Sequence, residues 1–497
     1  MPGRGAAMDA QDGTGCEGTP IELPHCRAKP DCARLEPVRA AALVARYGQP
    51  VPRYTSYPTA AQFTGATGPA EHAAWLAALP PAEPVSLYLH VPFCDQLCWY
   101  CGCHTSVVHR RGPIEDYVAT LTREIGLVAE ALPARLAAGA VHFGGGTPNL
   151  LAPGDLAAVV EALRRHFTLS PDTAFAAELD PRLLTEAWIT TACGLGLNRA
   201  SLGVQDLDPQ VQAAINRRQP FSMVAWSVEH LRRAGVGSIN LDLMYGLPHQ
   251  TTKGLLSTID QVAALRPERI ALFGYAHVPW MKPAQRLIPD HALPGPVGRL
   301  EQQREAAARL QDLGYVRIGL DHFAWPDDAL AEVAAAGRLR RNFQGYTEDA
   351  AETVIGFGAS AISHLPAGYA QNHAGVPAWR ERILAGDLPT ARGLAVGAAD
   401  RLRGAVIERL MCDFAVDLRR LCALHDTSVP ALVSGTMRAR LEEFARDGLV
   451  RLFASGTGPD SLDGIAVTET GRSFVRGVCA VFDRHLVPAP ERHAAAV

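Results

Sequence analysis

Between positions 85 and 320, short runs rich in β-branched and aromatic residues alternate with longer amphipathic stretches. That alternation admits few folds. Each strand is followed by a crossover helix, so the strands lie parallel and helices cover the sheet. Strands are predicted at 86–91, 140–143, 175–179, 199–204, 239–244, 269–275 and 315–318. Helices are predicted at 114–131, 154–167, 183–194, 208–216, 222–234, 254–265 and 298–313. About six such repeats suit a partial or full α/β barrel better than a small open sheet. In either case the active site is expected at the C-terminal ends of the strands.

The flanks read differently. Positions 1–35 carry Gly, Ala, Asp and Cys without apolar period, and are expected to be a disordered tail. A short N-terminal arm, 36–84, leads into the alternating region, and 321–390 reads as its extension and connection. From 391 to 497 the pattern is mostly helical. Amphipathic helices at 401–412 and 429–447, then strands at 449–453 and 464–468, are similar to a winged helix. No basic stripe marks it for nucleic acid, and the net charge of the 497-residue chain is −4. Apolar residues make up 48% of it, enough for a large core, yet no apolar run reaches the ~18 residues of a membrane span. The N-terminus has no secretory pattern, so a cytoplasmic location is expected.

Eleven cysteines, an odd number in a long chain, argue against a disulfide framework. Four of them fall within ten residues, in Cys94-Asp-Gln-Leu-Cys98-Trp-Tyr-Cys101-Gly-Cys103. This run directly follows the first predicted strand. Closely spaced thiolates hold iron–sulfur clusters, and three ligands to a [4Fe-4S] cube leave one iron open for chemistry. Spacing alone leaves other readings standing. Cys103 or His104 would complete a zinc site, Cys98 and Cys101 would make a redox dithiol, and buried structural thiols are the third alternative.

The Cys-x3-Cys-x2-Cys spacing is that of the radical S-adenosylmethionine superfamily. Further segments narrow the resemblance: Pro52-Arg-Tyr-Thr-Ser-Tyr-Pro-Thr59, Cys101-Gly-Cys103, His142-Phe-Gly-Gly-Gly-Thr-Pro148 and Glu178-Leu-Asp-Pro181. They continue with Ser201–Asp206, Asn216-Arg217, Asn240–Pro248, Asp321–Ala324, Arg341–Tyr346 and Gly358–Ser363. In this order, from about 50 to about 485, the chain resembles the oxygen-independent coproporphyrinogen III oxidases. A related heme chaperone, which binds and delivers heme, is the alternative. It typically lacks both the fourth cysteine and the Pro-Arg-Tyr-Thr-Ser-Tyr-Pro arm, which this chain has.

The resemblance implies a radical S-adenosylmethionine barrel of partial (β/α)6 type. It implies a [4Fe-4S] cluster on Cys94, Cys98 and Cys101, with S-adenosylmethionine at the fourth iron and a second S-adenosylmethionine nearby. It places Tyr88, Gly145, Glu178 and Ile362 at the first cofactor. Tyr100, Gly146, Thr147, Gln205, Arg217, Asp242 and Ala276 fall to the second. Cys103 is needed in the family without ligating the cluster. Coproporphyrinogen III is the implied substrate and a flavodoxin or ferredoxin the implied electron donor. The chain is expected to be monomeric.

Read as residues, the same positions carry plain chemistry. Glycines at 144–146 let backbone approach a ligand, and their amides are expected to hold its amino-acid portion. Glu178 would accept from ribose hydroxyls or an ammonium group. Asp242 stands in an otherwise apolar run and needs a partner, for which Arg217 is a candidate. Arg53, Arg340 and Arg341 are the candidate cations for substrate carboxylates, since a guanidinium fork binds both oxygens.

Overall fold

The computed structural model describes residues 35–456 and 461–487. The expectation of a disordered tail, and with it Cys16, Cys26 and Cys32, lies outside the described residues. The main sheet has twelve strands. In chain order they are Val85–Val91 (β1), Ala137–Gly145 (β2), Thr168–Leu179 (β3), Arg199–Gln205 (β4), Ser238–Tyr245 (β5) and Arg269–Gly274 (β6). Val316–Ile318 (β7), His322–Ala324 (β8), Val354–Phe357 (β9), Ile362–Leu365 (β10), Gly368–Asn372 (β11) and Thr390–Ala395 (β12) follow.

Strands β1 to β6 lie side by side and parallel, in chain order. They are the six units of the partial barrel. On the open side of β1 the sheet continues through β9, which is parallel to β1, and then antiparallel through β10, β11 and β12. On the other side β8 runs antiparallel to β6, and β7 antiparallel to β8. The strand predicted at 315–318 therefore exists but is not a seventh βα unit. The tight turn after β7 sends the chain straight back beside it, and no crossover helix intervenes.

Strict two-residue alternation sorts the barrel's side chains. Leu87, Leu89, Val141, Phe143, Phe175, Leu202, Leu241 and Ile270 are at most 5% exposed and pack outward under the helices. The intervening positions, Ser86, Tyr88, His142, Glu178, Ser201, Asn240 and Asp242, face a lumen of about 390 Å³. Each buried Leu, Ile or Phe stabilises the sheet by roughly 1.5–3 kcal/mol, so the polar lumen is carried by the apolar outer face. Helices begin where the sequence offers caps: Thr185 Oγ1 accepts from Trp188 N, Asp208 Oδ1 from Gln210 N and Thr251 Oγ1 from Gly254 N.

At the N-terminal ends of the strands an ionic floor closes the lumen. Glu348 pairs with Arg199 and with Arg269, and Arg269 also meets Asp328 at 2.8 Å. Beside it, Ser86 donates to Asp349. The C-terminal ends stay open to the loops.

The last part of the chain forms a second core. Helix Ala398–Asp413 leads into a three-stranded antiparallel sheet of Ala415–Asp417, Val450–Phe453 and Gly464–Val467. The single helix predicted over 429–447 is two, Val429–Leu432 and Gly435–Arg446. Ser434 breaks it: its Oγ caps Met437 N at 3.3 Å and starts the second helix afresh. Helix Leu418–Leu424 and strand Ala415–Asp417 were not expected. Helix Pro37–Tyr47 packs on this core, with Tyr47 stacked on Phe444 at 4.6 Å between ring centres.

Candidate active site

The cysteine run forms the loop after β1, at the C-terminal mouth of the barrel. Two short strands, Phe93–Cys94 and Ser106–Val107, pair parallel and staple its ends together. Its middle is tied to the segment after β4. Trp99 N donates to Ile215 O at 3.0 Å, and Asn216 Nδ2 donates to Leu97 O at 2.9 Å. This explains why Asn216 takes a left-handed backbone, with φ 54°.

Every one of the three predicted ligands meets a hydrogen-bonding group. Cys94 Sγ lies 3.0 Å from Thr105 Oγ1, and Thr147 Oγ1 donates to it at 3.6 Å. Arg217 and Arg182 donate to Cys98 Sγ at 3.5 and 3.6 Å. Cys103 N donates to Cys101 Sγ at 3.4 Å. A hydrogen bond from the Cys103 thiol, against burial and with help from the Cys103 amide, lowers the Cys101 thiol to about 6 and favours the thiolate form. The chemistry of this donor set fits an iron–sulfur cluster, whose potential is tuned by hydrogen bonds to sulfur. Sequence reasoning did not find Thr105 or Arg182, because neither stands in a metal-ligand pattern.

The glycine loop packs directly beneath. Gly146 N donates to Val91 O, and Thr147 N donates to Phe93 O at 2.7 Å. Gly145 N donates to Glu178 Oε2 at 3.2 Å. The Gly145 and Gly146 amides are therefore not free for a ligand as expected: that of Gly146 holds the end of β1, and that of Gly145 holds Glu178. The glycines are needed for proximity. A Cβ on Gly146 would stand 2.5 Å from Phe93 O, and one on Gly144 2.9 Å from Glu178 Oε1. Gly145 has φ 110°, which L side chains rarely adopt.

Glu178 faces the lumen from the end of β3, and 40% of its side chain stays open. Burial works against its charge, but His142 Nε2 at 3.1 Å and Gly145 N outweigh it and hold the carboxyl below its usual range. Tyr88 stacks on His142 at 5.8 Å, and its hydroxyl meets His90 Nδ1 at 3.1 Å. Asp242 is handled differently. Ser201 Oγ donates to it at 2.9 Å and Asn240 Nδ2 at 2.7 Å. Burial prevails over these donors and lifts its carboxyl to about 6. Arg217 is not its partner. That guanidinium instead joins Asp180 at 3.2 Å, Gly203 O and Cys98 Sγ. Arg182 shares Asp180 at 2.6 Å, so one carboxylate holds both cations behind Cys98.

Around the mouth, Gln205 ends β4 at φ 68°, where the register with β5 shifts. Tyr100 packs beside Met244 and Ile215. Its carbonyl and that of Ala276 both accept from Gln285 Nε2, at 2.9 and 3.1 Å. Ala276 lies two residues beyond the end of β6 rather than on it. Ile362 opens β10, on the far side of β1. Among the described residues, buried Asn240 Oδ1 and Arg217 Nε have no hydrogen-bond partner. Asn240 lines the lumen, where that oxygen is placed for a polar ligand, and the sulfur donors stand at the mouth, so the residues present fit a sulfonium nucleoside beside a cluster.

A second cavity, about 350 Å³, adjoins the lumen and shares Phe273, His322 and Gln344 with it. Cys103, Arg53 and Arg341 line it. Arg340 does not: it pairs with Glu408 at 3.1 Å and faces another cleft.

Comparison with known proteins gives a consistent picture. Residues 88–262 match the family model described as the radical SAM superfamily. The oxygen-independent coproporphyrinogen III oxidase of Bradyrhizobium diazoefficiens is 47% identical over 456 residues, 92% of this chain and 99% of that protein. The protein of the same name from Pseudomonas aeruginosa is 40% identical over 447 residues, with 89% and 95% covered. Among solved structures, coproporphyrinogen III oxidase (HemN) from Escherichia coli superposes with a TM-score of 0.81 at 36% identity. That match covers 90% of this chain and 99% of the other. Among the described residues no helix is long and apolar enough to cross a membrane.

Proposed function

The chain belongs to the oxygen-independent coproporphyrinogen III oxidases of the radical SAM superfamily, and on that premise we propose how its residues divide the reaction. The enzyme decarboxylates coproporphyrinogen III oxidatively to protoporphyrinogen IX, turning two propionates into vinyl groups and using two S-adenosylmethionines. Cys94, Cys98 and Cys101 hold the cluster. With S-adenosylmethionine the cluster would supply one-electron radical chemistry for removing a hydrogen atom from a propionate side chain.

The protein's own work is binding, orientation and exclusion of water. Thr147, Arg182 and Arg217 donate toward the cysteine sulfurs, Thr105 shares a hydrogen bond with Cys94, and the donors stabilise thiolate charge. Glu178, held ionised by His142, is set to accept from an ammonium or ribose group of the first cofactor. Tyr88, Gly145 and Ile362 complete that side. Tyr100, Gly146, Thr147, Gln205, Arg217, Asp242 and Ala276 are assigned to the second cofactor. Cys103 faces the adjoining cavity and so stands between cluster and substrate. A small redox protein such as flavodoxin or ferredoxin supplies the electron, and the enzyme acts as a cytoplasmic monomer.

The observation that carries this reading is the set of hydrogen-bonding groups converging on three cysteine sulfurs at the mouth of a polar barrel. Anaerobic reconstitution with iron, sulfide, S-adenosylmethionine, a reductant and coproporphyrinogen III tests it. Release of CO2 and 5′-deoxyadenosine in equal amounts is expected. Stable heme binding without turnover would overturn it.

A further inference from the structure

The cavity beside the lumen is lined by four arginines that come from four separate parts of the chain. Arg53 lies in the N-terminal arm, Arg299 in helix Pro296–Asp312, Arg341 in the hairpin strand Arg340–Asn342 and Arg476 in helix Val475–Ala480. One carboxylate, Asp321, is the only acid among the lining residues. Four formal positive charges thus share one negative.

Carbonyls at the end of β6 pin two of these side chains. Arg53 Nη2 donates to Gly274 O at 3.0 Å, and Arg299 Nη2 donates to Tyr275 O at 2.7 Å. Arg341 reaches Arg53 O at 3.5 Å and lies over the Tyr346 ring at 4.6 Å. Arg476 reaches Val51 O at 3.5 Å. Arg53, Arg299 and Arg341 are therefore oriented by neutral oxygens and a ring, with Asp321 the nearby negative charge for Arg53 and Arg341. Among the described residues, buried Nε of Arg299, and Nε and Nη1 of Arg341, have no hydrogen-bond partner. Leaving a buried charged donor unmet is costly, and an arrangement of this kind stands when a ligand meets it. Burial and mutual repulsion push Arg53, Arg299 and Arg476 down, Arg476 to about 10. A bound anion would relieve both effects.

We infer that Arg299 and Arg476, together with Arg53 and Arg341, form the cradle for the propionate carboxylates of the substrate and select a tetracarboxylate over a dicarboxylate tetrapyrrole. This deepens the proposed function and rests on it. The cavity adjoins the lumen and includes Cys103 and Ala276. A macrocycle held here by some of its propionates would present the others toward the cluster mouth. A methionine carboxylate of the second S-adenosylmethionine carries the same anionic group, so the test separates the two.

The test uses holoenzyme with its cluster reconstituted. Binding of coproporphyrin III, the fluorescent oxidised analogue, is compared with that of a dicarboxylate porphyrin, and S-adenosylmethionine binding is measured separately. Arg299→Gln and Arg476→Gln should each weaken coproporphyrin III binding by about tenfold or more, the scale of one charged hydrogen bond. Dicarboxylate and S-adenosylmethionine binding should stay nearly unchanged. Arg299→Lys and Arg476→Lys should recover part of the loss, and they carry the test if a Gln variant misfolds. Arg340→Gln, whose side chain lies outside the cavity, should bind like the parent. Unchanged coproporphyrin III affinity in both Gln variants, or a loss confined to S-adenosylmethionine, would overturn the inference. A parent enzyme that binds coproporphyrin III but releases no CO2 would instead overturn the proposed function.

Discussion

The two sides of the site are built in opposite ways. The cysteine side is one contiguous stretch, from Cys94 to Cys103, stapled at its ends and placed by a single strand. The arginine side is gathered from residues 53, 299, 321, 341 and 476 around the end of β6. Chemistry that needs fixed spacing between ligands is carried by local sequence. Recognition of a large anion needs only charge at separated points, so any element that reaches the cavity serves.

The largest effect should come from breaking the contiguous side. Cys98→Ala is expected to bring iron and acid-labile sulfide to background and to abolish 5′-deoxyadenosine formation. Retention of a full cluster would remove Cys98 from the ligand set. The next largest concerns the support behind that side. Asp180→Asn leaves Arg182 and Arg217 without their shared carboxylate, which should cost about 3–5 kcal/mol of stability. Urea unfolding of the apoprotein measures it. A loss under about 1 kcal/mol would mean the two cations are held by the sulfur and carbonyl contacts alone.

These cases also show what was legible. Cysteine spacing, the strand–helix alternation and the glycine loop were readable because each is a local pattern with a mechanical cause. The pairing of Arg217 was not, since Asp180 just past β3 and Asp242 within β5 are both acids of the barrel and only the fold shows which one lies behind Cys98. Tertiary contacts also spend the Gly145 and Gly146 amides, which no local pattern reveals. Arg299 and Arg476 sit in ordinary amphipathic helices and carry no mark at all. Arg340 and Arg341 are neighbours in a strand, so alternation sends them to opposite faces, and only one reaches the cavity.

Asp242 lines the lumen that adjoins the arginine cavity. Its carboxyl is raised by burial from 3.8 to about 6. The folded protein therefore binds more protons there than the unfolded chain across that window. Stability falls as pH rises through it, and the penalty is constant above. Asp242→Asn should stabilise the apoprotein at pH 7 by on the order of 2 kcal/mol while impairing turnover. The gain should vanish as the pH is lowered toward 4. Thermal unfolding against pH checks the sign, and a gain that grew on acidification would contradict it. The smallest effect is expected of Arg340→Gln. Its pair with Glu408 is about one-third exposed, so less than about 1 kcal/mol should be lost, with kcat/KM unchanged.

Cys103 joins the two sides: its amide supports Cys101, and its side chain lines the arginine cavity. The iron and sulfide content of Cys103→Ser, measured beside its product formation, tests the division most directly. A complete cluster with an unaltered EPR spectrum, together with little or no protoporphyrinogen IX, is the predicted result. Loss of the cluster would make Cys103 a ligand and contradict the account.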